Sequence, residues 1–96
     1  MKIKAIYPGT FDPITSGHED LVKRASNIFE SVIVAVASNT QKNTLFSYED
    51  RYDMCKKVLS KYENVDVIKL DRLTVEHAKE LNATGTPGYY AAKLLW

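Results

Sequence analysis

Residues 9–18, GTFDPITSGH, combine glycine, hydroxyl and imidazole groups at a spacing that suits the binding of an anion. Gly9 allows backbone dihedral angles that other residues avoid, and Gly17 removes a side chain close to the start of a predicted helix. Thr10 supplies a hydroxyl donor, and His18 can direct a ring N–H at a phosphate oxygen. These groups stabilise negative charge rather than attack, so the stretch predicts a phosphate-binding loop.

The same residue types also have structural interpretations. His18 is in helical register with the apolar residues that follow it, so by itself it could be a core histidine bonded to the backbone. Asp12-Pro13 is typical of a turn, and we assign it no chemistry. Cys55 falls on an apolar helical stripe, so we expect it to have a structural role. His77 stands beside Glu76, so we expect it to lie on a solvated face. Residues alone therefore indicate an anion site and no particular reaction.

The segments around this loop alternate between strand and helix patterns. Residues 2–7 read as a strand, and residues 17–30 as an amphipathic helix with Thr15 or Ser16 as its N-cap. Residues 31–38 form a continuous apolar run, which is typical of a parallel strand covered on both faces. The predicted apolar stripe of the helix consists of Leu21, Val22, Ala25, Ile28 and Phe29.

The pattern continues after a polar loop at residues 39–46. Ser47 with Asp50 predicts a capping box for a second helix, residues 65–70 read as a third strand, and Thr74 can cap a third helix through residue 81. This order predicts an α/β fold with a parallel sheet and right-handed crossovers. In such sheets ligands bind beyond the carboxyl ends of the strands, which is where the first loop lies.

Composition limits which classes of function the chain can have. The chain has 96 residues, enough for one domain, and 13 Lys and Arg against 12 Asp and Glu leave a net charge of +1. That balance offers no general electrostatic reason to bind nucleic acid or a membrane surface. The single cysteine excludes an internal disulfide. With no signal-peptide pattern and no apolar run long enough to span a bilayer, we expect a cytoplasmic protein.

The stretch YPGTFDPITSGH at residues 7–18 resembles the signature of bacterial phosphopantetheine adenylyltransferases, a branch of the nucleotidyltransferase superfamily with the T/HxGH motif. The similarity continues through residues 24–51 and through LTVEHAKELNAT at residues 73–84. It implies a Rossmann-like doubly wound parallel sheet and transfer of AMP from ATP to 4'-phosphopantetheine, giving dephospho-coenzyme A and pyrophosphate. It also implies Mg²⁺ together with ATP, and a homo-oligomer, typically a hexamer.

Roles for single residues also follow from this resemblance. Thr10 would position the attacking pantetheine phosphate, and His18 would donate to the α-phosphate oxygens as charge builds up. Lys42, in the loop after the second strand, would bind the attacking phosphate, although a solvated lysine is the alternative. Thr74 would line the pantetheine arm. The residues implied to contact the nucleotide are Gly9, Thr10, Phe11, Gly17 and His18; no residue is assigned as a metal ligand.

The resemblance ends after residue 84. The family continues with a strand and an Arg-Gly-Leu-Arg segment that clamps phosphates, whereas Gly88 and Ala91 stand at the positions of its two arginines. We therefore predict a nucleotidyltransferase-like domain at residues 1–84, a divergent tail at residues 85–96 that arises from a frameshift or a shortened chain, and impaired activity. The alternatives are a non-catalytic phosphate or pantetheine binder, a sister nucleotidyltransferase that uses CTP, and a tail that docks in an assembly.

This divergence also leaves the predicted fold incomplete. In a sheet of order 3-2-1-4-5, the missing strands would cover the far side of the first strand. An unpaired apolar edge invites pairing with another strand. We therefore expect residues 84–96, or another chain, to cover that edge.

Overall fold

The computed structural model describes residues 3–38, 43–70 and 93–94. Their elements are β1 (Lys4–Gly9), α1 (Ser16–Ile28), β2 (Ser31–Ala37), α2 (Tyr48–Leu59), β3 (Val65–Leu70) and β4 (Lys93–Leu94). This order confirms the predicted alternation of strands and helices as far as β3. The third helix predicted at residues 74–81 lies outside the described residues.

All four described strands belong to one parallel sheet of order β3-β2-β1-β4. β1 pairs with β2 along its whole length, from Lys4 opposite Ser31 to Gly9 opposite Val36. On its other side β1 pairs with β4, with Ala5 opposite Lys93. The Rossmann-like α/β order is thereby confirmed for these strands, and so is the expectation that the tail covers the far edge of β1, for the two residues of β4.

β2 is the central strand of the core. Its residues from Val32 to Ala37 are all buried. β1 and β3 flank it in the sheet, and Val32, Val34 and Val36 belong to the core cluster that contains side chains of both described helices. α1 contributes Val22 and Ala25, and α2 contributes Cys55 and Leu59. The predicted strand covered on both faces is consistent with this burial.

The apolar stripe predicted for α1 is wrong at two positions. Leu21 is 36% exposed and Ile28 is 70% exposed, whereas Val22 and Ala25 are buried. The helix ends at Ile28 because the next residue, Phe29, takes an extended conformation and the chain turns into β2. Helical spacing places a residue on a face, but only the crossing of helix and sheet decides how wide the buried stripe is.

Candidate anion-binding site

The loop between β1 and α1 is anchored in the core by Phe11. This residue has a φ of 51°, in the left-handed region that non-glycine residues rarely adopt, and its side chain is 3% exposed. The Phe11 ring packs edge-on against Tyr7, at 5.2 Å between centroids, and against His18, at 5.0 Å. Burial of the ring holds the backbone in this conformation and supports the imidazole of His18 from one side.

Position 9 needs glycine because the Phe11 ring lies close to its backbone, and not because of the wider range of backbone angles that glycine allows. It is the last residue of β1, and a Cβ at this position would stand 3.1 Å from two atoms of the Phe11 ring. That distance is too short for a side chain unless the ring moves. The expectation of unusual dihedral angles at Gly9 is therefore corrected: the residue with positive φ is Phe11, and Gly9 makes room for its ring.

His18 forms a reciprocal cap with Thr15 at the N-terminus of α1. The Thr15 Oγ1 atom accepts from the His18 backbone N–H at 3.3 Å, and the Thr15 backbone N–H donates to His18 Nδ1 at 2.9 Å. A histidine thus takes the place that Glu or Gln has in the usual capping box. Of the two predicted N-caps, Thr15 is confirmed.

This cap assigns the tautomer of His18. Because Nδ1 accepts a backbone N–H, the neutral ring carries its hydrogen on Nε2. Partial burial lowers the pKa of His18 below its ordinary value, which favours the neutral ring at pH 7. Within the described part of the chain, Nε2 makes no hydrogen bond. The ring therefore presents an Nε2–H donor. The hydrogen bond that Nδ1 accepts on the other side of the ring sets the orientation of this donor.

Gly17 leaves open space beside the first turn of α1. A Cβ there would meet only Thr15 Oγ1, at an ordinary contact distance of 3.6 Å. Packing within the described residues therefore gives no reason for glycine, although glycine is a poorer helix former than alanine. The backbone N–H groups of Ser16 and Gly17 have no acceptor within the helix, and the helix dipole adds partial positive charge at the same place. Space, donors and dipole together make this helix end a candidate site for an anion.

A carboxylate close to this site is neutralised locally. Glu19 lies in the first turn of α1, and its Oε2 atom is 2.7 Å from Lys61 Nζ and accepts from the Tyr62 hydroxyl at 2.7 Å. The hydrogen bond from Lys61, followed by that from Tyr62, lowers the pKa of Glu19. These contacts reduce the repulsion that a free carboxylate would exert on an anion bound at the same helix end.

Sequence reasoning missed a role for Arg51 and understated that of Asp12. Arg51, the fourth residue of α2, is 1% exposed and donates to the carbonyl oxygen of Thr10 at 2.8 Å. Asp12 accepts the backbone N–H groups of Leu45 and Phe46 at 2.6 and 2.8 Å. The one signal for Arg51 in the sequence was a cation in the first turn of a helix, where the dipole disfavours it.

The structure brings five of the predicted site residues together at the turn from β1 into α1. They are Gly9, Thr10, Phe11, Gly17 and His18. Lys42 and Thr74 lie outside the described residues, so their roles stay predictions. In residues 3–38, 43–70 and 93–94 there is no group of three or more His, Cys, Asp or Glu that could hold a metal ion. No helix in these ranges is long and apolar enough to span a bilayer.

The parallel order β3-β2-β1-β4, with a helix N-terminus and an imidazole donor following the motif strand, defines a Rossmann-like α/β domain with an anion site. The family model described as cytidylyltransferase-like matches residues 6–94, and the chain belongs to that family. The crystal structure of NadR protein in complex with NAD and AMP-PNP has the same fold. It superimposes with a TM-score of 0.68 at 22% identity, over 88% of this chain and 27% of that one.

Curated relatives place the similarity within one branch. The phosphopantetheine adenylyltransferase of Nitrosospira multiformis is 52% identical over 80 residues, which are 83% of this chain and 48% of the relative. The enzyme of that name from Hahella chejuensis is 50% identical over 78 residues, 81% of this chain and 48% of the relative. The enzyme of that name from Nautilia profundicola is 49% identical over 80 residues, which are 83% of this chain and 52% of the relative. The chain thus spans about half the length of these relatives.

Proposed function

We propose that this chain transfers AMP from ATP to 4'-phosphopantetheine, giving dephospho-coenzyme A and pyrophosphate in coenzyme A biosynthesis, with activity lowered because Gly88 and Ala91 stand where the resemblance implies two phosphate-clamping arginines. The observation that carries the proposal is the neutral His18 ring, which the Thr15 cap leaves with an Nε2–H donor beside the open first turn of α1. About 50% identity to relatives that bear the name phosphopantetheine adenylyltransferase supports the choice of substrates.

In the proposed reaction a phosphate oxygen of 4'-phosphopantetheine attacks the α-phosphorus of ATP in line. A bond forms between that oxygen and the α-phosphorus, the bond from the α-phosphorus to the bridging β-oxygen breaks, and pyrophosphate leaves. His18 Nε2–H donates to a non-bridging α-phosphate oxygen without giving up its proton. The N–H groups of Ser16 and Gly17 stabilise charge on the phosphates, so the protein acts by positioning and electrostatics. Thr10, Lys42 and Thr74 are proposed to hold 4'-phosphopantetheine.

Magnesium is proposed to arrive with the nucleotide. The described residues provide no cluster of ligands for a metal ion, and both Asp12 carboxylate oxygens accept backbone N–H groups. Mg²⁺ prefers oxygen ligands and is commonly bound through substrate phosphates with few protein carboxylates. Its contribution would be to neutralise phosphate charge.

The test is pyrophosphate release from ATP, 4'-phosphopantetheine and Mg²⁺ by the purified chain. His18→Ala removes both the cap acceptor and the Nε2–H donor, so release should disappear. His18→Glu is the matched variant, because Glu can accept the Thr15 N–H in a normal capping box but offers no donor. We expect His18→Glu to stay folded and to be inactive. Release that persists in folded His18→Glu, or no release from folded wild-type chain, would contradict the proposal.

A non-catalytic phosphate or pantetheine binder is the second candidate. It is favoured by Gly88 and Ala91, which stand where the resemblance leads us to expect two phosphate-clamping arginines. Separate titrations with 4'-phosphopantetheine, ATP and CTP distinguish the candidates. Binding of 4'-phosphopantetheine without either nucleotide favours the binder, and preference for CTP favours a sister nucleotidyltransferase. Assembly into a homo-oligomer in the cytoplasm belongs to the same proposal, and light scattering on the purified chain tests the assembly.

A further inference from the structure

Arg51 connects the carboxyl ends of two neighbouring strands. Its Nη1 atom donates to the carbonyl oxygen of Thr10, just after β1, at 2.8 Å and to that of Ala37, the last residue of β2, at 2.7 Å. Its Nη2 atom donates to the carbonyl oxygen of Ser38 at 3.0 Å. One buried guanidinium therefore sets the spacing of the two strand ends from which the site loops depart.

The same guanidinium reaches the loop that precedes α2. Arg51 Nε donates to the carbonyl oxygen of Phe46 at 3.2 Å, while Asp12 Oδ1 accepts the Phe46 N–H at 2.8 Å. Asp12 Oδ2 also accepts the Leu45 N–H at 2.6 Å. The backbone of Phe46 is thus held at both its N–H and its carbonyl. Hydrogen bonds link Thr10 to Arg51, Arg51 to Phe46 and Phe46 to Asp12, and the chain from Thr10 to Asp12 closes the ring. This ring joins the motif loop to the loop before α2.

The chemistry of this ring calls for arginine in particular. Arg51 forms none of the ion pairs found among the described residues, and four backbone carbonyl oxygens accept its hydrogen bonds instead. A guanidinium offers five donors in a rigid plane, whereas a lysine offers three from one flexible point. The Arg51 guanidinium also lies over the Tyr48 ring, 5.4 Å from its centroid. These contacts together fix the orientation of the guanidinium plane.

We propose that Arg51 and Asp12 form a clamp that positions the motif loop against the loop before α2, so that both are positioning residues of the anion site. The inference rests on the function proposed above. The motif loop leads into the donors of α1, so the clamp fixes the path of the chain from β1 to those donors. Displacement of reacting groups by about 1 Å is enough to lower a rate about a hundredfold.

The test compares Arg51→Lys with Cys55→Ala in the 96-residue chain. Cys55 is on the same helix and fully buried, but it belongs to the apolar core and not to the clamp, so it controls for lost stability. Two readouts are measured: hydrogen exchange of the Leu45 and Phe46 amides, which bond to Asp12 and not to Arg51, and the dissociation constant of pyrophosphate by calorimetry. Where Arg51→Lys does not fold, Asp12→Asn probes the clamp from its partly exposed side, with pyrophosphate affinity as the only readout, because both amides bond directly to Asp12.

Arg51→Lys should speed exchange of both amides and weaken pyrophosphate binding about tenfold or more, the equivalent of one charge-assisted hydrogen bond. Cys55→Ala should change neither beyond its global effect on unfolding. The inference is overturned if Arg51→Lys behaves like Cys55→Ala in both readouts, or if Asp12→Asn in its place leaves pyrophosphate affinity unchanged. If the wild-type chain does not bind pyrophosphate, the proposed function fails, while amide exchange still decides whether the clamp joins the two loops.

Discussion

Replacing Gly17 with alanine should stabilise the fold and weaken the anion site at the same time. The new methyl group would meet only Thr15 Oγ1, at 3.6 Å, so it adds no clash within the described residues. Alanine is a better helix former than glycine by up to about 1 kcal/mol, and about half of that gain is expected in the first turn. For a domain of this size, a gain of about 0.5 kcal/mol raises Tm by roughly 2 to 4 °C.

The same methyl group would occupy the space beside the Ser16 and Gly17 N–H groups. We expect pyrophosphate affinity to fall by about tenfold or more, because a phosphate oxygen can no longer approach one of these donors closely. Thermal unfolding followed by circular dichroism and calorimetric titration with pyrophosphate measure the two effects. Asn27→Ala is the matched control: it raises helix propensity at an exposed position of α1 far from the loop and should leave affinity unchanged.

Two outcomes would refute this reasoning. A loss of stability in Gly17→Ala would mean that the fold itself requires glycine at this position. Unchanged affinity in a stabilised Gly17→Ala would mean that the space beside the first turn is not where the anion binds. Opposite changes in stability and affinity are the signature of a glycine that is kept for a ligand.

Two further predictions concern stability. Burial lowers the pKa of His18 below 6.5, so the unfolded chain binds more protons between the two pKa values. The stability that the neutral His18 ring contributes should therefore be intact above pH 6.5 and be lost as the pH falls toward the lower folded pKa. A His18 ring that titrates at or above 6.5 by NMR would contradict this. Leu59→Ala should lower the free energy of unfolding by about 2 to 5 kcal/mol, because this side chain is 1% exposed. Leu21→Ala, at a side chain that is 36% exposed, should cost less than Leu59→Ala in urea denaturation, and equal losses would show that the assigned core is wrong.

Local signals in the sequence were sufficient for most of the framework. Apolar spacing and runs placed β1, α1, β2, α2 and β3, because the repeat at which side chains return to one face is set by the local backbone geometry of a helix or a strand. Thr15 and Ser47 were both named as N-caps, and each accepts a backbone N–H of the first turn. The motif loop was also placed correctly, since a loop after a parallel strand opens at the carboxyl edge of the sheet.

The details of the site depended on contacts that local patterns do not encode. The amino-acid pattern was sufficient to show where strands and helices form and that a glycine, threonine and histidine motif follows the first strand. The cap at Nδ1 of His18 joins residues three positions apart, and it was missed because a capping box usually has Glu or Gln at that place. The packed fold was needed to show that Arg51 bonds to Thr10 across 41 positions and that Asp12 accepts the backbone N–H groups of Leu45 and Phe46. Such pairings depend on how strands and helices pack in space, where the nearest neighbour of a buried group is set by the fold and not by its place along the chain.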